Sequence, residues 1–173
     1  MALKAFGCIN QNHQPLGRDD TSVLSVIFTY EETKMMTIEQ VVAYPVPEDE
    51  RLEHIAHTFG ARFPLQIEPL VYVLTAELAP AYNGGFWDFF CLSNGGFYMA
   101  PSSDDDFAVV CENGFVGTLS PEALGITACL YAYSHLSFSG NEELAQLCAE
   151  HYHWLRDFMM DHPEAEKILK ATD

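Results

Sequence analysis

The sequence predicts an α+β fold: a single two-layer domain in which helices pack on one face of an antiparallel β-meander of three to five strands. Strand-like alternation and Asn-Gly turns are confined to residues 82–118, and helical periodicity precedes and follows them. With 173 residues and 49% hydrophobic content, the chain can bury one sizeable core.

Two helices are predicted before the strands. Pro47 and the carboxylates that follow it favour a helix N-terminus, and apolar residues continue at helical spacing to Gly60. A second amphipathic helix runs from about Gln66 to Leu78, and Pro80 closes it.

Four strands are predicted next, over 86–92, 96–100, 107–111 and 115–118. Asn-Gly pairs at 83–84, 94–95 and 113–114 indicate turns in which glycine supplies positive φ. The three aspartates at 104–106 are expected to form a solvated loop, because the alternating oxygen ligands of a calcium loop are absent.

Three helices are predicted after the strands. Ser120, Pro121 and Glu122 combine a side-chain cap, a first-turn proline and a favourable charge. The helix they begin, to about His135, is apolar almost all round and is expected to be central and buried. An amphipathic helix over 141–161 and a short helix over 164–170 complete the chain.

The N-terminal residues differ from the rest. Residues 1–35 are either an extension or a peripheral strand, since only 23–30 show strand-like alternation, and 36–173 form the main domain. No stretch is apolar enough for a membrane span or a secretion signal, so a cytoplasmic location is expected.

The net charge is -17, from 25 acidic and only 8 basic residues, and no Lys or Arg occurs between Phe63 and Leu155. Such a surface repels phosphates, so direct nucleic-acid binding is disfavoured, whereas a basic partner protein remains possible.

The cysteines, histidines and serines that could act in catalysis or metal binding form no recognisable sequence motif. The five cysteines are too scattered for a disulfide framework and are expected to be reduced structural thiols. The pairs His54 with His57 and His151 with His153 match no zinc pattern and are expected to be satisfied or exposed. Nucleophile and phosphate-loop motifs are absent, so no catalytic, cofactor-binding or metal-binding residue is predicted.

The aromatic strand at 86–92 is unusual because both of its faces are apolar. Alternation places Trp87 and Phe89 on one face and Asp88 and Phe90 on the other. The Trp87 face is either covered by the rest of the chain, which we favour, or left for a partner. The candidate partner surface is Trp87, Asp88, Phe89 and Asp157, and Asp88 is expected to serve a turn or helix cap rather than catalysis.

Three blocks resemble the ArdB/KlcA antirestriction family: YNGGFWDFFCLSNGGFYMAP at 82–101, SPEALGITACLYAYSH at 120–135 and EHYHWLRDFMMDHPEA at 150–165. The resemblance covers roughly Met36 to the C-terminus. It implies a compact α+β protein of plasmids, phages and other mobile elements that protects incoming DNA from host type I restriction, with no established enzyme activity or cofactor.

The acidic surface and the aromatic strand motivate the hypothesis that the protein acts by binding a protein of the host restriction or DNA-processing machinery. The family is regarded as distinct from elongated DNA-mimicking antirestriction proteins, which agrees with an ordinary acidic content. Two alternatives stay open: an acidic DNA mimic that occupies the restriction enzyme's DNA site, and an undetected enzyme that modifies a restriction component.

Overall fold

The computed structural model describes residues 40–173, which form a compact unit. The predicted N-terminal segment 1–35, including the possible strand at 23–30, lies outside the described residues, as do Cys8 and residues 36–39. Within the described part the α+β prediction is confirmed. The strands are β1 (Ala43–Pro45), β2 (Trp87–Leu92), β3 (Phe97–Pro101), β4 (Phe107–Val110) and β5 (Val116–Leu119).

Five helices complete the described part. They are α1 (Arg51–Thr58) after a 3₁₀ turn at Glu48–Glu50, α2 (Glu68–Leu78) after a π turn at Phe63–Ile67, α3 (Pro121–Ser137), α4 (Glu142–Met159) and α5 (Ala165–Thr172). Each predicted helix is present, with ends within a few residues of the expected ones. The predicted Ser120 cap is confirmed, since its Oγ accepts from the Ala123 amide at 3.2 Å.

The strands form two antiparallel sheets, β1-β2-β3 and β4-β5. In the first, Ala43 pairs with Leu92 and Phe89 with Met99; in the second, Val109 pairs with Gly117. The four predicted strands are therefore divided between two sheets, and β1 is an added strand that is too short to show a period-2 pattern. β4 does not continue the first sheet because a helix occupies the outer edge of β3.

That helix is α3. Its side chains form hydrogen bonds with the backbone groups of β3 that face away from β2, which we call the outer edge of β3. The Tyr133 hydroxyl donates to the Phe97 carbonyl at 3.0 Å, and the Met99 amide donates to Cys129 Sγ at 3.5 Å. The approach requires Gly125, because a Cβ there would lie 2.4 Å from the Met99 carbonyl oxygen. The predicted central position of this helix is confirmed: residues 123–130 are all buried.

The hairpin turns hold the last two helices through their asparagines. Asn94 Nδ2 donates to the Trp154 carbonyl of α4 at 2.9 Å, and Asn113 Nδ2 donates to the Lys170 carbonyl of α5 at 2.9 Å. Both turns place a glycine at positive φ, Gly95 at 97° and Gly114 at 89°, as the Asn-Gly pattern predicts.

The described cysteines are unpaired with one another, and Cys111, Cys129 and Cys148 are buried while Cys91 is half-buried. Burial raises the pKa of Cys129 to about 12 and that of Cys148 to about 11, which keeps both as neutral thiols. These are properties of structural cysteines.

The histidine prediction is wrong for one residue. His151 is neither exposed nor satisfied: it is 1% exposed, and its Nδ1 atom is buried without a hydrogen-bond partner among the described residues. Its ring lies between Phe59 and Tyr133, at centroid distances of 4.6 and 5.5 Å. Burial lowers its pKa to about 4, because a charged ring would lose its hydration there.

Candidate partner-binding surface

Trp87 and Phe89, two members of the predicted partner surface, are buried at 5% and 7% exposure. Trp87 donates from Nε1 to the Tyr82 hydroxyl at 2.7 Å and packs on Tyr72, whose ring centroid is 5.2 Å away. Phe89 packs edge-on against Phe63. The favoured alternative, that this face is covered, is thus what the structure shows, and neither ring is available to a partner in this conformation.

The other face of β2 is also covered, but less completely. Phe90 stacks on Tyr98 at 4.7 Å, and Tyr98 stacks on Phe158 of α4 at 5.5 Å. Phe90 nevertheless remains half-buried. The side chain next to it, Asp88, is 47% exposed and is the part of this strand that a partner can reach.

Asp88 pairs with a cation, which corrects the expectation that it serves a turn or a cap. Arg51 Nη2 lies 3.3 Å from Asp88 Oδ1, and Nη1 of the same guanidinium donates to the Trp87 carbonyl at 2.9 Å. The guanidinium also lies 5.0 Å from the centre of the Phe89 ring. Arg51 therefore fixes α1 on β2 and holds the Asp88 carboxylate in one orientation.

A cavity of about 510 Å³ opens beside Asp88, and we call it the Asp88 cavity. It is bounded by Asp88 and Phe90 of β2, by the end of β3, by the loop 102–104, and by Ser120 to Glu122 at the start of α3. Three carboxylates, those of Asp88, Asp104 and Glu122, are among its lining groups. It is thus an open, acidic depression where two strands and a helix N-terminus meet.

Glu122 is held in place by two neighbours. Its Oε1 accepts from the Tyr98 hydroxyl at 2.5 Å, and its Oε2 lies 3.6 Å from His162 Nε2. His162 is the main influence that lowers the pKa of Glu122, and the Tyr98 hydroxyl adds to it, so this carboxylate is ionised at neutral pH. Burial raises the pKa of Tyr98 above its usual range, which keeps the phenol as the donor.

A second cavity of about 360 Å³ adjoins the first, and the two share Pro101, Ser102 and Ser103. It is lined on its other sides by the connection 81–86 and by Asp105, Asp106 and Phe107. The ring of Phe86 stands at its rim with 86% exposure. The three aspartates of the predicted solvated loop therefore line two adjoining depressions, together with an exposed aromatic ring.

Most basic residues of the described part are held in internal ion pairs, one of which includes a carboxylate of the Asp88 cavity. Arg51 pairs with Asp88, Arg62 with Glu143, Lys167 with Glu164 and Lys170 with Glu166. Asp104, Asp105 and Asp106 pair with no cation among residues 40–173. Asp157, the remaining member of the predicted surface, is exposed on α4 beside Phe158.

Two of the hydroxyl groups at these cavities are engaged in hydrogen bonds within the chain. Ser120 Oγ is engaged as the helix cap, and Ser103 Oγ accepts from the Asp105 amide at 3.1 Å. Among residues 40–173 no group of three or more His, Cys, Asp or Glu side chains is arranged to hold a metal ion. The same part of the chain has no helix of sufficient length and apolarity to cross a membrane.

Sequence reasoning identified Asp88 and Asp157 but missed Asp104 and Glu122. Glu122 was recognised only as a favourable helix-start residue, because its contacts with Tyr98 and His162 join residues far apart in sequence. The sequence predicts a loop for residues 104–106, and the structure places them in the connection between β3 and β4. The run of three aspartates was the only local signal that this loop contributes to an acidic surface.

Fold and surface together define a class: a compact α+β domain with an acidic, cavity-bearing face. Residues 80–173 match the family described as "Antirestriction protein". The chain is 41% identical to an antirestriction protein KlcA of Escherichia coli over 77% of its own length and 94% of the relative's. It is 38% identical to another Escherichia coli KlcA, over 78% of its length and 96% of the relative's. The chain belongs to the antirestriction protein family.

A solved structure supports the same assignment. The fold matches that of a KlcA/ArdB protein with a TM-score of 0.73 at 38% identity, covering 80% of this chain and 100% of that one. The work on that structure describes a novel fold and antirestriction activity against type I DNA restriction systems in vivo but not in vitro.

Proposed function

We propose that this protein protects incoming plasmid or phage DNA from host type I restriction in the bacterial cytoplasm, by binding a protein of the restriction or DNA-processing machinery. The observation that carries the proposal is the Asp88 cavity: an open depression lined by the carboxylates of Asp88, Asp104 and Glu122, of which Asp104 forms no ion pair with any residue from 40 to 173. Such a surface attracts a basic protein segment and repels DNA.

The behaviour of the related KlcA/ArdB protein favours a protein partner over DNA mimicry. That protein is active in vivo but not in vitro. A mimic that fills the DNA site of the restriction enzyme needs no other cellular component, so it would be active with purified enzyme as well. A factor that acts through a further cellular protein loses its activity when that protein is absent.

The test uses phage plating on cells that carry a type I system and express variants of the full chain. Asp88→Asn combined with Asp104→Asn removes charge from the Asp88 cavity, and Asp157→Asn removes it from the one predicted surface residue that is exposed but lines neither cavity. We expect each to reduce plating efficiency by at least about tenfold, because charge complementarity governs encounter with a basic partner. Glu150→Gln, an exposed position on α4 outside both cavities and outside the predicted surface, is the matched control and should protect fully.

Folding is checked in parallel, because Asp88→Asn leaves Arg51 without its partner. Thermal unfolding of each purified variant separates loss of fold from loss of binding. If folded variants at all three positions protect as well as the unaltered chain, this surface does not bind the partner.

A further inference from the structure

The edge strands of the two sheets differ in how well they are protected against pairing with a further strand. The outer edge of β3 is satisfied by α3, through Cys129 and Tyr133. The outer edge of β5 is covered by α5, where Lys167 Nζ donates to the Thr118 carbonyl at 3.0 Å. β1 is three residues long and contains Pro45. Coverage, shortness and proline are known protections against strand pairing.

β4 is also short, at four residues, but among residues 40–173 no hydrogen bond covers its outer edge and the strand contains no proline. Cys111 donates to Phe115 at 2.8 Å and Val109 pairs with Gly117, so alternation turns the N–H and C=O groups of Ala108 and Val110 away from β5. These groups bond to no residue within 40–173. The strand carries no charge and no proline, and both Ala108 and Val110 are exposed.

A groove of about 410 Å³ opens at the end of β4, beside α2 and α3. It is lined by Val110 of β4, by Leu74 and Leu78 of α2, and by Tyr131 and His135 of α3. Val110 is 54% exposed and its cross-strand neighbour Val116 is 71% exposed, whereas Leu74 and Leu78 are only 8% and 7% exposed. Apolar side chains thus lie beside the unpaired backbone groups of Val110.

Two carboxylates also line the groove. Glu77 of α2 and Glu112 at the end of β4 are both exposed, and neither forms an ion pair with any residue from 40 to 173. No Lys or Arg occurs between Phe63 and Leu155, the stretch that contributes every residue of this groove. A strand that enters here therefore meets hydrogen-bonding groups, apolar pockets and uncompensated negative charge.

We infer that β4 is a docking edge, where an extended segment of a partner protein, with alternating apolar and basic residues, adds a strand to the β4-β5 sheet. The added strand bonds to Ala108 and Val110, its apolar side chains contact Leu74, Leu78 and Tyr131, and its basic side chains approach Glu77 and Glu112. This inference rests on the proposed function for the identity of the partner, but it assigns binding to a different surface from the Asp88 cavity.

Binding is tested with the full chain and a capped peptide, Lys-Val-Thr-Val-Lys-Val-Thr-Lys, followed by backbone amide NMR and hydrogen exchange. We expect the peptide to slow exchange of the Ala108 and Val110 amides by at least about tenfold, since both would become ladder donors. The Val109 amide already faces β5 and should change little. The same peptide N-methylated at alternate residues cannot form the ladder and should leave all three unchanged.

Ala108→Pro gives a sharper version of the test. It removes one outward donor while leaving the bonds between β4 and β5 intact, since proline is tolerated on the free side of an edge strand. We expect peptide binding to be lost, with the Val109 amide signal showing that the hairpin persists. Val110→Lys is a second variant that repels a basic strand without altering the backbone. Unchanged binding in either folded variant overturns the inference.

A phage-plating experiment in cells distinguishes failure of this inference from failure of the proposed function. In phage plating, Glu112→Lys should reduce protection by at least about tenfold, and Glu150→Lys, with the same charge change on α4, should not. If the unaltered chain and Glu112→Lys protect equally, the groove is not the docking edge although the proposed function stands. If the unaltered chain gives no protection, the proposed function fails, and the peptide measurements alone decide on the groove.

A second copy of the chain is the remaining occupant to distinguish. We expect sedimentation equilibrium of the unaltered chain to show no dimer that the Ala108→Pro substitution would dissociate. The unaltered chain and the Ala108→Pro variant should therefore have the same oligomeric state. A dimer with that behaviour would mean that β4 pairs with itself, and the inference of a partner segment would be overturned.

Discussion

Gly125 marks the closest approach between the central helix and the first sheet. A Cβ at this position would lie 2.4 Å from the Met99 carbonyl oxygen and 2.5 Å from Ala100 Cα, and neither backbone atom can move away without disturbing β3. The absence of a side chain at Gly125 therefore allows Cys129 and Tyr133 to reach the outer edge of β3.

Gly125→Ala should lower the free energy of unfolding by about 2–3 kcal/mol, because the added methyl group overpacks a rigid contact. Gly140→Ala is the matched control. A Cβ there meets nothing within 4 Å, so a change within about 0.5 kcal/mol is expected. Urea unfolding of both variants measures the difference, and equal stabilities would contradict the close packing of α3 on β3.

His151 links stability to pH because its ring is buried among aromatic side chains. Its pKa is lowered from the ordinary 6.5 to about 4, so between these values the unfolded chain takes up a proton that the folded chain does not. Stability is therefore complete above pH 6.5 and falls as the pH drops from about 6.5 towards 4.

The loss between pH 6.5 and 4.5 should reach about 2 kcal/mol, and His151→Phe should remove most of it. Phenylalanine suits the site, which is bounded by the rings of Phe59, Tyr133 and Trp154. Glu122 and Glu164, whose pKa values are lowered, lose their contribution only as the pH falls below 4.5 and so do not obscure this window. Unfolding midpoints at several pH values give the slope, and equal slopes in the parent and the variant would refute the assignment.

At the scale of elements, the two hairpins are connectors between the sheets and the helices. Asn94 and Asn113 each use the side-chain oxygen within the turn, accepting from the amides of Gly96 and Phe115, and the side-chain nitrogen to hold a helix. One side chain thus shapes the turn and fastens α4 or α5 to it.

Asn113→Asp separates the two roles, because it keeps the oxygen that accepts from Phe115 and removes the donor to α5. We expect a loss of about 1–3 kcal/mol, since a carboxylate would face the Lys170 and Ala171 carbonyls. Asn83→Asp has the same charge change at an exposed turn and should cost less than about 0.5 kcal/mol. Chemical unfolding compares the two, and a similar cost at both positions would argue against helix docking by Asn113.

Local patterns were sufficient to predict the helices, the strands from β2 onward and the hairpin turns at 94–95 and 113–114, because these depend on residues close in sequence. The third predicted turn, at 83–84, lies in irregular chain between α2 and β2. The division into two sheets was not predictable, since it depends on α3 occupying the edge of β3 through Cys129 and Tyr133. The pairing of Asp88 with Arg51 was not predictable either, because it joins residues that the rest of α1, a π turn and α2 separate in sequence.

At the scale of the whole molecule, the distribution of charge is the property that bears on function. The net charge of -17 arises from scarce basic residues, of which Arg51, Arg62, Lys167 and Lys170 are held in ion pairs within the described part of the chain. We propose that Asp104 at the Asp88 cavity, and Glu77 and Glu112 in the groove beside β4, are the carboxylates that meet a basic partner, because they form no ion pair with residues 40–173.

This charge predicts a salt dependence of association with any such partner. Raising the ionic strength from about 0.05 to 0.5 M should slow association more than it speeds dissociation, because screening weakens long-range attraction first. Surface plasmon resonance with a partner captured by crosslinking at Asp104 gives both rates. An association rate that is independent of salt would contradict an electrostatic role for these carboxylates.

The most direct test of the central claim, that the protein acts through a cellular partner and not by filling the DNA site of the restriction enzyme, is a titration of purified type I restriction enzyme with this protein. In parallel, phage plating is measured in restricting cells that express the same gene from which the protein is purified. We predict protection in cells and no inhibition of DNA cleavage at equimolar or tenfold excess protein. Stoichiometric inhibition that weakens with added salt would establish DNA mimicry, and inhibition by substoichiometric protein would indicate an enzyme; either result would contradict the account.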